Sequence, residues 1–147
     1  MDHKFIIVGG NPFKVSRCAN GIERFLGIKV YDGDVLINQE DEEKLIDDVV
    51  SREQWIIKTQ YNRILSAAAE SVEMIVFMDY PQYRNILDCL LRLNFKALKR
   101  VMTYRQIKRS WMINRLNQFG TEKRIIMIRN NRELKSFLKL IQTKKAV

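Results

Sequence analysis

Short apolar runs alternate along the 147 residues of this chain with segments whose apolar residues recur at helical spacing. The runs are mostly rich in β-branched or aromatic residues, and they lie at Phe5–Val8, Ile28–Tyr31, Trp55–Ile57, Met74–Met78 and Arg124–Ile128. Nearly continuous apolar strands of this length are typical of a parallel sheet that helices cover on both faces. The sequence therefore predicts an α/β fold, a five-stranded, doubly wound parallel sheet with right-handed crossovers.

Helical patterns fill the intervals between the predicted strands. They lie at about Arg17–Leu26, Glu40–Val50, Tyr61–Ser71, Gln82–Arg92 and onward, and Asn131–Ile141. Residues 95–120 are also helical by pattern, and they predict one long bent helix or a helical hairpin with a turn near Ser110. An apolar stripe at spacings of four, four, three and four indicates core or a partner interface; it comprises Leu87, Leu91, Phe95, Leu98 and Met102. We expect one domain spanning residues 1–147.

The charge of the chain is concentrated in its second part. The 26 basic and 17 acidic residues give a net charge of +9. Residues 1–60 contain 8 basic and 11 acidic residues, whereas residues 61–147 contain 18 basic and 6 acidic residues. Between Asp88 and Glu122 there is no acid at all. Such a segment favours a polyanion, whether nucleotide phosphates, nucleic acid or an acidic protein partner. The alternative is a solvated basic helix face.

Several functional classes receive no support from the composition. No apolar run approaches the roughly 20 residues needed to cross a bilayer, so we expect no membrane partner and a cytoplasmic location. Cys18 and Cys89 fall on predicted helices without a C-x-x-C spacing, which predicts two buried, reduced thiols. His3 is the single histidine of the chain and cannot by itself support a histidine-based metal site.

The segment from Gly9 to Ser16 lies between the first predicted strand and the first predicted helix. A strand, a glycine turn and a helix are the parts of a phosphate loop, whose motif is G-x-x-x-x-G-K-[ST]. With Gly9 as the first glycine, Lys14 stands at the second glycine position and Val15 at the lysine position. Only Ser16 matches, so the motif is degenerate.

Two interpretations of this segment remain open. The first is a rebuilt anion site at a helix N-terminus, formed by Gly9, Gly10, Lys14, Ser16 and Arg17. The second is a tight strand-to-helix turn in which Ser16 is the N-cap of the helix. Pro12 weakens the first interpretation because it removes one backbone donor from the loop.

Three carboxylates follow predicted strands. Asp32 and Asp34 come after the second strand as Asp-Gly-Asp, and Asp79 comes after the fourth strand. A carboxylate in the position of Asp79 can hold Mg²⁺ through water in phosphoryl-transfer enzymes. Asp and Gly are also ordinary turn residues, and an Asp before Pro can cap the next helix. Both interpretations stay open for each acid.

The order and spacing of several strand motifs carry a family resemblance. The segments are Gly27–Asp34, Trp55–Tyr61, Ile75–Gln82 and Arg124–Leu138. Together they resemble the small P-loop kinase-like proteins known as DNA topology modulation (FlaR-type) proteins, relatives of adenylate and shikimate kinases. That family typically has Trp-Val-Ile-Asp-Gly-Asn-Tyr in the third strand, where this chain has Trp55-Ile-Ile-Lys-Thr-Gln-Tyr61. An arginine of the family is replaced by Gln82 and another by Asp88, whereas Arg92 remains.

The resemblance implies a P-loop kinase-like fold in which residues 93–121 form a basic, lid-like helical segment. Lids of nucleotide kinases use arginines to neutralise the transferring phosphoryl group. The basic candidates in and near this segment are Arg100, Arg105, Lys108, Arg109 and Arg115. Tyr104, Trp111 and Phe119 interleave with them, a composition that also suits contact with nucleic acid. In shikimate-kinase-like relatives a D-x-D in the place of Asp32 and Asp34 serves Mg²⁺ and substrate.

The departures from the family pattern all affect polar groups that would hold phosphate or Mg²⁺. The apolar positions that form the sheet match the pattern. This predicts a non-catalytic, pseudo-kinase-like regulator that binds a polyanion, either nucleic acid or nucleotide, or a protein partner. No cofactor is predicted with certainty for it. The alternative is an atypical kinase of nucleotides or small molecules that uses Mg-ATP. In that case Lys14 would replace the missing lysine, and Asp32, Asp34 and Asp79 would manage Mg²⁺.

Overall fold

The computed structural model describes residues 3–37, 39–60, 62–104, 109–119 and 124–146. The strands are β1 (Lys4–Gly9), β2 (Val30–Asp32), β3 (Trp55–Thr59), β4 (Met74–Met78) and β5 (Arg124–Ile128). The helices are α1 (Pro12–Leu26), α2 (Gly33–Leu36), α3 (Glu42–Val50), α4 (Asn62–Ala67), α5 (Gln82–Leu91), α6 (Phe95–Thr103), α7 (Arg109–Phe119) and α8 (Asn131–Ala146). Among the described residues, no helix is long and apolar enough to cross a membrane.

The strands form one parallel sheet in the order β2-β3-β1-β4-β5, which confirms the predicted five-stranded fold. Strand β1 lies at the centre, where Val8 is paired with Thr59 of β3 and Phe77 of β4. All five residues of β4 are buried, as expected for a strand inside a covered parallel sheet. The carboxyl ends of the strands therefore meet at one edge.

Helices cover both faces of this sheet, so it is doubly wound as predicted. Side chains alternate along β1, and Ile7 contributes to a core on the face that α1 and α8 cover. Ile6 contributes to a second core on the opposite face, together with side chains of α3, α4 and α7. Helix α1 ends at Leu26 as predicted, because Gly27 adopts a left-handed conformation with φ of 71°.

The beginning of α1 corrects the sequence-based interpretation. We predicted a loop through Ser16 and a helix from about Arg17, but the helix begins at Pro12 with Asn11 as its N-cap. Asparagine is a favoured N-cap, and proline suits the first helical position because its missing N–H would have no intrahelical partner. Ser16 therefore lies inside α1, and the prediction that it caps the helix was wrong.

The described part of the basic segment is helical, as predicted. It comprises α6 and α7, and Ser110 itself lies within α7. Residues 105–108, between these two helices, lie outside the described residues, so one long bent helix and a hairpin with a turn near Ser110 both stay predictions. Helix α7 is a structural part of the fold, because Met112, Leu116 and Phe119 are buried in the second core. The predicted apolar stripe is interrupted, since α5 ends at Leu91 and α6 begins only at Phe95.

The break between α5 and α6 is made by an unusual residue for such a turn. Leu93 has φ of 51° and is the non-glycine residue with positive φ in the described chain. The backbone nitrogen of Asn94 donates to the carbonyl oxygen of Cys89 across it, at 3.0 Å. This is the helix-ending arrangement that glycine usually occupies, because a Cβ is crowded in the left-handed region.

We expect the substitution Leu93→Gly to stabilise the protein. The side chain is 76% exposed, so little burial is lost, and relief of the left-handed conformation should raise the free energy of unfolding by about 0.5–1 kcal/mol. Thermal unfolding should show a Tm higher by about 2 °C. The matched control is Leu91→Gly, an equally exposed leucine in the last turn of α5 with ordinary helical geometry, which should destabilise by a similar amount. A loss of stability in both variants would contradict the prediction.

Candidate functional site

The carboxyl edge of the sheet brings together the turn after β1 and the acids that follow β2 and β4. The turn between β1 and α1 contains only Gly10 and Asn11. At the carboxyl ends of parallel strands, such turns form the ligand sites of open α/β sheets. Most of the candidate residues predicted from the sequence therefore lie at the carboxyl edge of the sheet. Their contacts determine what this edge can bind.

The first backbone N–H groups of α1 are already used within the protein. The Asn11 side-chain oxygen accepts from the backbone nitrogens of Phe13, at 3.0 Å, and Lys14, at 3.4 Å. The Asn11 carbonyl oxygen accepts from the nitrogen of Val15 at 3.1 Å, and Pro12 has no N–H. Phosphate binding at a helix N-terminus depends on free N–H groups of this kind. Here two of these N–H groups donate to the side chain of the capping asparagine.

A polar network holds the capping asparagine in this position. The Asn11 side-chain nitrogen donates to Asn85 Oδ1 and to Asp88 Oδ2, both at 3.0 Å. Asn11 and Asn85 are both buried, and Asn85 itself donates to the carbonyl oxygen of Tyr80. Because each of these amides has defined partners, the cap is built into the interior of the protein.

Two contacts cover the turn that precedes the cap. The ring of Tyr104 lies against Gly10 so closely that a Cβ at position 10 would stand 2.2 Å from a ring carbon. The side-chain nitrogen of Gln60 donates to the Gly10 carbonyl oxygen at 3.2 Å. The Tyr104 hydroxyl is buried without a hydrogen-bond partner among the described residues, and burial raises the pKa of Tyr104 above its usual value. The turn is thus covered by an uncharged ring.

The Lys14 side chain is engaged by residues that follow β4 and β5. Its ammonium group donates to Asn131 Oδ1 at 3.1 Å and lies 3.6 Å from Asp88 Oδ2 and 5.3 Å from the centre of the Tyr80 ring. The Tyr80 hydroxyl donates to the same Asn131 oxygen, and burial raises the pKa of Tyr80 to about 12. Lys14 is therefore buried among α5 and α8, and Arg17 is exposed on α1.

A small cavity of about 70 Å³ remains at the edge. Its lining comprises Gly9, Pro12, Val15, Ser16, Asp32, Asp34, Lys58, Thr59, Gln60 and Arg100. The Lys58 ammonium group donates to Ser16 Oγ at 3.1 Å, so this lysine is the cation beside the predicted loop serine. Small-molecule sites usually measure about 300–1,000 Å³, and this cavity is well below that range.

The acids after β2 have structural partners. Asp32 caps the short helix α2 by accepting from the backbone nitrogen of Asp34 at 3.0 Å. Asp34 accepts from Thr59 Oγ1 at 2.9 Å and from the nitrogen of Gln60 at 3.1 Å, and Arg100 is 3.2 Å from its second oxygen. The cap on α2 agrees with the turn interpretation of Asp32, and Asp34 is held against β3.

Asp79 forms an ion pair with an arginine of α7. The Arg109 side chain donates to both carboxylate oxygens at 2.8 Å, the bidentate geometry of strong arginine–carboxylate pairs. The Asp79 side chain is only 9% exposed, and hydrogen bonding to it raises the pKa of Arg109. Among the described residues, no group of three or more His, Cys, Asp and Glu side chains is suited to hold a metal ion.

The remaining basic and aromatic candidates are dispersed. Arg115 donates to Gln118 on α7 at 2.8 Å and lies over the ring of Phe119, away from Asp34 and Asp79. Arg105 and Lys108 lie outside the described residues. Of the three aromatic residues considered for stacking on nucleic acid, Tyr104 and Phe119 are buried and only Trp111 is exposed. The stacking surface expected from the sequence is therefore largely interior.

The cysteines are buried as predicted, and both are free thiols. Burial raises the pKa of Cys18 to about 12, and it also raises the pKa of Cys89. A nucleophilic cysteine needs a thiolate, so neither residue is suited to nucleophilic catalysis near neutral pH.

Comparison with solved structures identifies the fold. No protein-family model matches the sequence, and no curated protein matches it either. A shikimate kinase from Acinetobacter baumannii in complex with shikimate is similar with a TM-score of 0.62 and 10% identity, over 99% of this chain and 96% of that chain. A shikimate kinase from Bacteroides thetaiotaomicron has a TM-score of 0.55 and 11% identity, over 99% of both chains. A gluconokinase from Sinorhizobium meliloti 1021 has a TM-score of 0.55 and 12% identity, over 99% of this chain and 92% of that chain.

These similarities establish a P-loop kinase-like fold for the chain, and at such low identity they concern the fold alone. The more specific resemblance to the FlaR-type family stays a prediction. Most residues of the edge were predicted from the sequence, but its central polar groups, Asn11, Lys58 and Gln60, were not. The dipeptide Asn11-Pro12 is itself a helix-start signal and could have located the cap.

Proposed function

We propose that this chain is a non-catalytic protein with the P-loop kinase-like fold, and that it acts as a regulator by binding a partner. The observation that carries this proposal is the use of the α1 N-terminus by its own cap. The nitrogens of Phe13 and Lys14 donate to the Asn11 side chain, the nitrogen of Val15 makes the first intrahelical bond to the Asn11 carbonyl oxygen, and Pro12 has no N–H. A phosphate group at this place would have to displace the asparagine from a buried network.

The residues at the edge do not fit Mg-ATP. Lys14 is engaged by Asp88 and Asn131 on the other side of α1 from the cavity. Asp34 and Asp79, the carboxylates proposed for Mg²⁺, face Arg100 and Arg109. A cation held this close to each acid opposes the approach of a second cation. We therefore derive no phosphoryl-transfer step for this chain.

The charge distribution supports a negatively charged partner, and among polyanions and proteins we favour an acidic protein. Arg100 and Arg109 neutralise acids of the chain itself, which reduces the free positive charge at the edge. Exposed cations lie on α5, on α6 and between them, among them Arg84, Arg92, Lys96 and Lys99. Nucleic acid would have to be bound there without Tyr104 and Phe119, which are buried.

The proposal is tested by isothermal titration of the protein with Mg-ATP and with a non-hydrolysable analogue. We expect no saturable heat up to about 1 mM nucleotide, where even a weak site with a free energy of about −4 kcal/mol would be half occupied. An active P-loop kinase in the same buffer serves as the positive control. Saturable binding in the micromolar range would overturn the proposal.

The second candidate function is an atypical kinase, and one observation favours it. Lys58 lies 3.1 Å from Ser16 and lines the cavity together with Asp34 and Arg100. If nucleotide binds, Lys58 is therefore placed to meet its phosphates, whereas Lys14 is not. Nucleotide binding that survives in Lys14→Ala and is lost in Lys58→Ala would support this alternative.

A further inference from the structure

A row of large apolar side chains faces solvent along α5 and the turn that follows it. The row, here called the α5 stripe, consists of Tyr83, Leu87, Leu90, Leu91, Leu93 and Phe95. Their exposed fractions are 70%, 43%, 46%, 75%, 76% and 67%. Single exposed leucines are common on protein surfaces, but a contiguous group of this size marks an interaction site.

The spacing of the stripe matches a helix face. Tyr83, Leu87, Leu90 and Leu91 stand at positions i, i+4, i+7 and i+8 of α5, which places them on one side of the helix. The opposite side of α5 is buried through Asn85 and Cys89. Helix α5 therefore packs into the protein with one face and presents a second apolar face that nothing in the described chain covers.

The end of the stripe has a backbone conformation that leucine rarely adopts. Leu93 keeps a positive φ of 51° although its side chain is mostly exposed and gains little from packing. Glycine or asparagine would make this turn without the strain. Strained residues of this kind cluster at functional sites such as ligand clamps and switch regions.

The exposed charged residues of α5, of the turn after it and of α6 are all basic. Arg84, Arg92, Lys96 and Lys99 are exposed on α5, on α6 and in the turn between them. Asp88 is the single acid of α5, and its carboxylate is engaged inward by Lys14 and Asn11. A partner that covers the leucines must therefore bring negative charge to the rim.

We propose that the α5 stripe docks an acidic amphipathic helix of a partner protein. A linear apolar ridge at helical spacing fits the ridge-and-groove packing of a second helix, and the basic rim selects acids beside its apolar face. A second copy of this chain fits less well, because pairing of two α5 helices would bring arginines such as Arg84 and Arg92 together. The inference rests on the proposed function and names the partner of that regulator.

The test uses a fluorescein-labelled peptide of about 20 residues, with leucine at spacings of three and four and glutamate between them. We expect saturable binding by fluorescence anisotropy with a Kd of about 10 µM, at least about tenfold weaker for the double variant Leu87→Ser/Leu91→Ser. A peptide with lysine in place of glutamate should not bind. Leu140→Ser is the matched control, because Leu140 is an equally exposed leucine on α8, and this variant should bind like the unchanged protein.

Several outcomes would overturn this inference. They are the absence of peptide binding, equal binding by the stripe variant, and equal binding of the lysine peptide. Stripe-dependent binding to vesicles of phosphatidylcholine and phosphatidylserine, without peptide binding, would assign the surface to a membrane instead. Stripe-dependent dimerisation in sedimentation would assign it to a second copy. Mg-ATP is titrated in a separate experiment. Nucleotide binding would contradict the proposed regulator even if the peptide binds, whereas absence of peptide binding would contradict only the α5 stripe proposal.

Discussion

Replacing Arg109 by alanine is expected to lower the free energy of unfolding by about 3 kcal/mol, because a nearly buried carboxylate loses its cation. Arg109 donates to both oxygens of Asp79 at 2.8 Å, and the Asp79 side chain is 9% exposed. Nothing else described at this edge brings a positive charge against Asp79. Urea unfolding followed by circular dichroism measures the loss directly.

The control for Arg109→Ala is Arg63→Ala, which removes the ion pair of Arg63 with Glu42 on the surface. The Arg63 side chain is 66% exposed, and exposed pairs contribute only about 0–1 kcal/mol. An equal decrease in the free energy of unfolding in the two variants would show that the Arg109–Asp79 pair stabilises the protein no more than a surface pair. If Asp79 instead serves Mg²⁺, then millimolar Mg²⁺ should raise the Tm of the Arg109→Ala variant, and we expect no such rise.

The second large effect is expected at Lys14. Lys14→Met should lower the free energy of unfolding by about 2 kcal/mol, because Asp88 loses its cation and Asn131 loses a charged donor. The further change Asp88→Asn should recover at least half of this loss, since an amide oxygen still accepts from Asn11 and leaves no unpaired charge. A double-mutant cycle in urea gives the coupling between the two side chains.

The outcome at Lys14 also tests whether this lysine serves stability or phosphate binding. Lys29→Met is the control, because Lys29 is exposed and lies only over the ring of Tyr31, so its removal should change stability by less than about 0.5 kcal/mol. If Lys14→Met leaves stability unchanged but abolishes nucleotide binding, the lysine serves phosphate, and the burial argument given for it fails.

The sheet was predictable from the sequence because the central strands are mostly apolar. Runs such as Met74–Met78 have no polar face, so only a sheet covered on both sides can bury them. The start of α1 was not predicted, because the glycine pair and Ser16 match parts of a phosphate-loop motif. The Asn11-Pro12 helix start lies inside the same segment. The Asn11-Pro12 dipeptide thus predicts a helix start, and the partial phosphate-loop motif predicts a loop over the same residues.

The contacts at the edge could not be read from the sequence for a different reason. Lys58 meets Ser16 because β3 lies directly beside β1, an order that the chain does not reveal before the sheet is assembled. The position of Tyr104 over Gly10 depends in the same way on how α6 returns to the sheet. The break at Leu93 was invisible to periodicity, because leucine carries no turn signal and continues the apolar pattern.

The two-residue turn between β1 and α1 has a consequence for any attempt to introduce nucleotide binding at this edge by engineering. A phosphate cradle needs several consecutive residues outside the helix, and here only Gly10 and Asn11 are outside it. No single substitution lengthens a connection, so libraries of point variants should not yield a nucleotide site. Insertion of about four residues after Gly10, together with removal of the Tyr104 ring, is the smallest change of backbone that leaves room for one.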